Sequence, residues 1–286
     1  MGQCDEATSG LANPLDARLL SLWDVTEERQ WQVNCFLRGS LAINRHSDRK
    51  GARRAMFPMS LDENQLKIAA ADSAVTQVTD GMIVGLGTGS TATFAVSALG
   101  RRVRDGLRIV GIPTSERTAA QARALGIPLS SLEKEPQVDI TIDGADEVEE
   151  GNLNLIKGRG GALLREKIIA SASRKLVIIV HSNKLVSHLG VHDPVPIEVV
   201  PFGWQVTAQR LSALGAKPSL RRNSDGEPYR SDGGNYIVDC AFESIVSVES
   251  LARQLDHVVG LVEHGLFIGL TSEVHVGGAD GVRILS

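Results

Sequence analysis

Residues 82–91 read Met82-Ile83-Val84-Gly85-Leu86-Gly87-Thr88-Gly89-Ser90-Thr91. A short apolar run that breaks into alternating glycines and hydroxyls reads as a buried strand entering a tight turn, and residues 91–99 then carry a helical pattern. The same arrangement recurs downstream. A strand over 108–112 meets Pro113-Thr114-Ser115 and a helix over 116–125, which Gly126 ends. A strand over 138–142 runs into Asp143-Gly144-Ala145-Asp146-Glu147. After a glycine-rich turn, a helix is expected over 163–172 and a buried strand over 176–180. Strands alternating with helices predict parallel βαβ units. Their right-handed crossovers gather the strand C-termini on one edge, where such sheets bind ligands. The expected class is α/β, a Rossmann-like parallel sheet.

Upstream of this core, Ser60 before Leu61 with Glu63 three positions on has the form of a capping box, and Leu66, Ile68, Ala69, Val75 and Val78 predict a helix ending near Gly81. From about Pro196 the rhythm changes. Strands are expected over 197–200, 216–221, 236–242 and 261–267, with helices over 204–214 and 248–258. The order β-α-β-β-α-β predicts a ferredoxin-like α+β unit. Residues 273–285 are expected to return to the first sheet as its final strand. The domains expected are then an α/β catalytic domain of residues 60–195 plus 268–286, and a ferredoxin-like insertion of residues 196–267.

Residues 1–59 read differently. They hold Trp23, Trp31, Cys4 and Cys35, and residues 36–59 carry six basic side chains against Asp48 alone, with no sustained period of 2 or 3.6. Asp5 and Glu6 stand where a secretory signal needs basic residues, and Glu6 replaces the Ser/Thr of a myristoylation motif. This segment is expected to be a disordered extension or a start assigned too early, with Met56 or Met59 as the first true residue. A regulatory or targeting tail is the alternative.

The whole-chain numbers exclude several classes. With 286 residues and 42% hydrophobic content the chain is long enough for about two domains with a sizeable core. No apolar run approaches the roughly 18 residues of a membrane helix. A net charge of -4 argues against a general nucleic-acid binder, and three cysteines without a CxxC pair exclude a disulfide scaffold or a cysteine zinc site.

Gly87-Thr88-Gly89-Ser90-Thr91, between strand and helix, can present amides and hydroxyls to an anion. Ser90 stands where a dinucleotide fingerprint needs glycine, and the Gly-Lys-Ser/Thr of a P-loop is absent, so a monophosphate is favoured over NAD or ATP. A tight turn without a ligand is the plain alternative. Asp143, Asp146 and Glu147 crowd one strand end, where they repel unless they have partners or a task, such as accepting bonds from sugar hydroxyls. A divalent metal is the rival reading, though His188 and His192 lack a helix to align them. Lys157-Gly158-Arg159-Gly160-Gly161 resembles an anion nest with two cations. Glu166, among Leu163, Leu164, Ile168 and Ile169, would be a competent base if it faces a cleft and an ordinary first-turn acid if it does not. Lys184, in Ser182-Asn183-Lys184, adds a cation past another strand end.

Taken in order and spacing, residues 87–91, 143–147, 157–167 and 182–184 resemble the A-type ribose-5-phosphate isomerases. The resemblance spans about residues 60–286, with the inserted unit and the closing Gly278-Ala279-Asp280-Gly281 turn, and leaves out the first 59. It implies interconversion of ribose 5-phosphate and ribulose 5-phosphate in the non-oxidative pentose phosphate pathway. It further implies no cofactor, no metal, no nucleic-acid or membrane partner, a sugar phosphate as the small-molecule partner, a cytoplasmic location, and a homodimer or homotetramer. By motif, Glu166 matches the general base, Asp143 and Asp146 the carboxylates of the sugar site, and Lys157 the cation that steadies the enediolate. Thr88, Gly89, Ser90 and Thr91, then Gly144 and Ala145, then Gly158, Arg159 and Gly160, and finally Lys184, match substrate contacts. Many bacterial members carry glycine where Arg159 stands, which leaves a backbone contact possible and the side-chain role open. Two rivals come from other classes. A non-catalytic sugar-phosphate sensor would need no acid, base and cation set, and a CoA-transferase-like enzyme would need a nucleophilic glutamate and a larger site.

Overall fold

The computed structural model describes residues 62–286, so the expectations for residues 1–59 and the capping role of Ser60 lie outside the described residues. The chain opens with α1 (Glu63–Val75), followed by β1 (Ile83–Leu86), α2 (Ser90–Arg104), β2 (Val110–Pro113), α3 (Glu116–Ala124) and β3 (Ile140–Asp143). Two short strands, β4 (Glu147–Glu149) and β5 (Leu155–Ile156), precede α4 (Leu163–Ser171) and β6 (Leu176–His181), and a 3₁₀ turn, Ser182–Lys184, leads to β7 (Leu185–Val186). Then come β8 (Val195–Val199), α5 (Trp204–Ala213), β9 (Ala216–Leu220), β10 (Tyr236–Phe242), α6 (Val248–Leu255), β11 (Leu261–His264) and β12 (Leu266–Phe267). The hairpin β13 (Glu273–Gly278) and β14 (Gly281–Leu285) closes the chain.

The main sheet has the order β14-β13-β6-β3-β1-β2 and is parallel except for β14. Strand β6, Leu-Val-Ile-Ile-Val-His, is buried at every position, as a parallel strand covered on both faces must be. Its Val177 and Ile179 pack with α1 and α2 residues such as Ala71 and Leu99, while Ile178 and Val180 pack on the opposite face with Leu155, Ala170 and Phe267. From β1 the chain moves outward to β2 and then returns to β3 on β1's other side. The sheet therefore reverses direction between β1 and β3, and at such a point the loops leaving the two strands part and leave a crevice.

A second sheet, β11-β8-β10-β9, is antiparallel and carries α5 and α6 over a core that includes Ile197, Leu211, Val238 and Leu255. This is the ferredoxin-like unit expected from the sequence. The architecture is α/β, Rossmann-like, with that smaller α+β unit inserted.

Three expectations need correction, and the cap of the first helix comes from a residue the sequence reading did not name. The first helix is capped by Asp62, whose side chain accepts from Gln65 N at 2.8 Å while Gln65 Oε1 accepts from Asp62 N at 3.0 Å. That helix ends at Val75 rather than near Gly81; Val78 remains fully buried in the turn beyond, so the apolar pattern reported burial past the end of the helix. Residues 261–267 are two strands in different sheets. At the junction Gly265 N donates to Pro196 O and Gly265 O accepts from Lys157 N, which ties the chain to both sheets at once. Residues 273–285 form a hairpin turning at Ala279-Asp280, so two strands rather than one complete the sheet. A third small sheet, β12-β5-β4-β7, was not expected at all.

Candidate active site

The C-terminal ends of β1, β3 and β6 adjoin one another and release the three loops singled out from the sequence. A Cβ on Gly87 would come within 2.6 Å of the Asp143 Cα, so only glycine lets the first loop cross the end of β3 this closely. Thr88 N then donates to Asp143 Oδ1 at 3.0 Å. The Thr88 hydroxyl sits among those of Thr114 at 2.7 Å, Ser115 at 2.7 Å and Thr118 at 3.0 Å, a buried cluster that fixes the loop against the end of β2. Gly89, at φ 122°, turns the chain into α2 and leaves the first-turn amides at Ser90 and Thr91 without helical acceptors.

Asp143 is 1% exposed. Its Oδ1 accepts from Thr88 N and Gly144 N, and its Oδ2 lies 3.0 Å from Lys157 Nζ. Burial pushes its carboxyl up, against the opposing pull of Lys157 and of these amides. Lys157, 2% exposed, also donates to Gly144 O and stands 3.5 Å from Glu166 Oε1. Burial works to lower its ammonium, but Asp143 and Glu166 together win and raise it, so it is a firm cation. Glu166 enters from the first turn of α4 and is 3% exposed. Burial, reinforced by Asp143 and Asp146, raises its carboxyl from 4.5 to about 8 despite Lys157. Its Oε2 is buried and has no hydrogen-bond partner.

A cavity of about 350 Å³ opens at these loops. The residues matched by motif to the catalytic and substrate-contact roles all line it except Asp143, which stands behind Lys157 and Thr88 with contacts on both its oxygens. The expectation that Asp143 lines the sugar site is revised accordingly. Asp146 does line it. There one oxygen accepts from Arg159 N at 2.9 Å, and burial raises the carboxyl. The crowding of acids is resolved by giving each its own donors. Glu147 turns away from the cavity and accepts from the amides of Gly190 and His192 at 2.6 Å and Asp193 at 2.8 Å. Arg159 contributes its amide inward, while its exposed guanidinium reaches Asp193 at 3.2 Å. Lys184 meets the same Asp193 at 3.2 Å.

Sequence reading missed three residues at the cavity wall: Glu63, Lys67 and His181. Lys67 lies 2.5 Å from Glu63, which stands 3.6 Å from His181 Nε2. Burial lowers the His181 imidazole, so it is neutral near pH 7. Lys67 had a readable signal, since it occupies the buried face of α1 with Ala70, Ala71, Ala74 and Val75, where a lysine is out of place without a task. Among the described residues, no group of three or more His, Cys, Asp or Glu side chains is arranged to hold a metal ion.

The profile of the family described as ribose 5-phosphate isomerase A (phosphoriboisomerase A) matches residues 110–281. Ribose-5-phosphate isomerase A of Synechococcus sp. (strain JA-3-3Ab) is 54% identical over 223 residues, covering 78% of this chain and 97% of that protein. The Gloeobacter violaceus protein of the same name is 56% identical over 226 residues, 79% of this chain and 98% of its own length. Among solved structures, ribose 5-phosphate isomerase A from Methanocaldococcus jannaschii superposes with a TM-score of 0.76 at 40% identity, over 79% of this chain and all of that one. A D-ribose-5-phosphate isomerase in complex with phospho-erythronic acid gives 0.77 at 38% identity, over 79% of this chain and 100% of that one. The cavity, with its buried glutamate, lysine and glycine-hydroxyl loop, thus sits in a fold shared along nearly the full length of these relatives, and the chain belongs to the ribose 5-phosphate isomerase A family.

Proposed function

We propose that this protein interconverts D-ribose 5-phosphate and D-ribulose 5-phosphate through a cis-enediolate, with Glu166 as the base. The observation that carries this reading is Glu166 Oε2, a buried and unpartnered carboxylate oxygen of a residue that lines the cavity, beside the firm Lys157 cation. The substrate phosphate is assigned to the end where the α2 amides at Ser90 and Thr91 meet Lys67 and Lys184. The sugar then extends toward Asp146 and Glu166.

Asp146 is the better group for ring opening, because one of its oxygens is free of protein donors while both oxygens of Asp143 are engaged. It takes the proton of the anomeric hydroxyl as the bond between C1 and the ring oxygen breaks, and it hands that same proton to the ring oxygen, which becomes the free hydroxyl of the open aldose. Glu166 removes the proton from C2 of the open aldose, the electron pair forms the C1–C2 double bond, and negative charge gathers on the former carbonyl oxygen. The 3.5 Å contact between Lys157 and Glu166 is loose, so that ammonium proton can turn to the developing oxyanion. The oxyanion on O1 takes up the proton of the O2 hydroxyl, with the Lys157 ammonium beside both oxygens, the electron pair left on O2 forms the C2 carbonyl as the double bond opens, and Glu166 returns its proton to C1, which gives the ketose. A base raised to about 8 is better matched to carbon acids than a free carboxylate. Asp143 holds Lys157 protonated and in place.

A homodimer or homotetramer in the cytoplasm, with no nucleic-acid partner, completes the reading; among the described residues no helix is long and apolar enough to cross a membrane. The domain division goes with it: residues 60–195 plus 268–286 bear the catalytic groups and residues 196–267 form the insertion. The test is conversion of ribose 5-phosphate by the purified protein, with Glu166→Gln alongside. Turnover in the parent and a loss of roughly 10²–10⁴-fold in kcat with KM little changed is expected. A folded parent that binds ribose 5-phosphate without turning it over would leave a sensor as the reading, and near-normal turnover in the variant would remove Glu166 as the base.

A further inference from the structure

The inserted unit reaches back to the catalytic loop through one side chain. Arg221 follows β9, and its guanidinium is gripped by Asp239 of β10, with Nε donating to Oδ2 at 2.9 Å and Nη2 paired with Oδ1. The Tyr229 ring lies against the same group, 5.9 Å from its carbon to the ring centroid. This leaves Nη1 aimed in one direction, where it donates to Gly158 O at 2.8 Å and to Arg159 O at 3.0 Å. Gly158 C=O and Arg159 N–H belong to one peptide group, and in a trans peptide they point in opposite directions. On the far side of that peptide plane, Arg159 N donates to Asp146 Oδ2 at 2.9 Å. A cation on the carbonyl both orients the plane and polarises it, which strengthens the N–H as a donor.

We propose that Arg221 is a positioning residue for the isomerase reaction, holding the Gly158–Arg159 peptide so that its N–H fixes and favours the ionised form of Asp146. The inference rests on the reading of Asp146 as the ring-opening carboxylate. Asp146 is faced by Lys157 and Glu166 within the cavity, by Lys184 after β6, and by Asp193 and the Arg159 amide at its rim; Arg221 and Asp239 share a second cavity with it. Of these, only Arg221 acts through the peptide that binds it. Burial pushes Asp146 toward its neutral form, and the Arg159 amide works against that push, as the Lys157 and Lys184 cations also do. Arg221 touches neither the phosphate end nor Glu166, and its loss is expected to spare KM.

The experiment compares kcat, KM and the pH dependence of kcat/KM for ribose 5-phosphate in the parent enzyme and in Arg221→Ala, Arg221→Lys and Asp239→Asn. Arg221→Ala is expected to lower kcat about 10–100-fold with KM changed less than threefold, in keeping with the cost of slightly misplaced catalytic groups. The acid limb, carried in the parent by one group, is expected to steepen toward a two-proton dependence as Asp146 rises to meet Glu166. Arg221→Lys keeps a cation that can reach one carbonyl and should recover part of kcat, while Asp239→Asn should move both readouts in the same direction by less. A loss of folded fraction scales the whole profile without changing its slope. A folded Arg221→Ala with the parent's kcat and slope overturns the proposal, as does any loss that leaves the slope unchanged. If that variant does not fold, Arg221→Lys and Asp239→Asn decide by the same criteria. An inactive parent would instead overturn the isomerase reading itself.

Discussion

Glu166 and Lys67 show what a single position can tell. Glu166 stands in a run of leucines and isoleucines, which made it a base or a first-turn acid with nothing in the sequence to choose between them. Burial at 3% exposure, with Oε2 unpartnered, is what supports the proposed base. Because that burial raises the carboxyl to about 8, activity must follow its ionisation. We expect kcat/KM to climb roughly tenfold per pH unit below this value and to level off above it, measured from pH 5.5 to 9.5 under conditions where the protein stays folded. A profile already flat from pH 6 would mean that Glu166 is not the group whose proton controls the rate. Lys67 was legible and overlooked, for its place on the apolar face of α1 was in the sequence. Asp143 was over-read. The motif placed it at the sugar, but both its oxygens already have partners in Thr88, Gly144 and Lys157, and no pattern in the sequence reports how many donors a carboxylate already has.

At the scale of elements, strands such as β6 were legible because a continuous apolar run has few other homes. The third sheet was not, since its strands of two or three residues carry no measurable period and include the acids Glu147 and Glu149. Both glutamates are buried, and Glu147 explains why a charged residue can occupy a strand there. It ends the amides of residues 190–193 as a helix cap would, holding the loop that carries Asp193 against Arg159 and Lys184. Glu147→Gln keeps the shape but replaces one charged acceptor by an amide donor facing N–H groups. We expect a loss of about 1–3 kcal/mol by urea unfolding. KM should rise more than kcat falls, because Lys184 loses its fixed partner at the phosphate end. Unchanged stability would show that water serves those amides equally well.

For the molecule as a whole, the buried groups set opposing demands on pH. His181, His264 and His275 are each lowered by burial, so the unfolded chain holds protons there that the folded one does not, and stability falls as pH drops below about 6.5. Glu166 has the reverse sign. Its folded carboxyl is raised from 4.5 to about 8, so between those values the folded protein holds a proton the unfolded chain has released, and stability falls as pH rises through that window. Glu166 is therefore a burden on the fold at the pH where the proposed base would be ionised, while Lys157, raised by Asp143 and Glu166, loses nothing until strongly alkaline solution. Glu166→Gln mimics the neutral carboxyl and should lift that burden. Its Tm is expected to match the parent's near pH 4.5, to exceed it increasingly up to about pH 8 by roughly 3–8 °C, and to hold a constant lead above. A lead that is the same at every pH would trace the gain to packing rather than to ionisation. A variant less stable than its parent at pH 8 would show that the Lys157 contact outweighs burial, and that the cavity binds the glutamate in its charged form without cost.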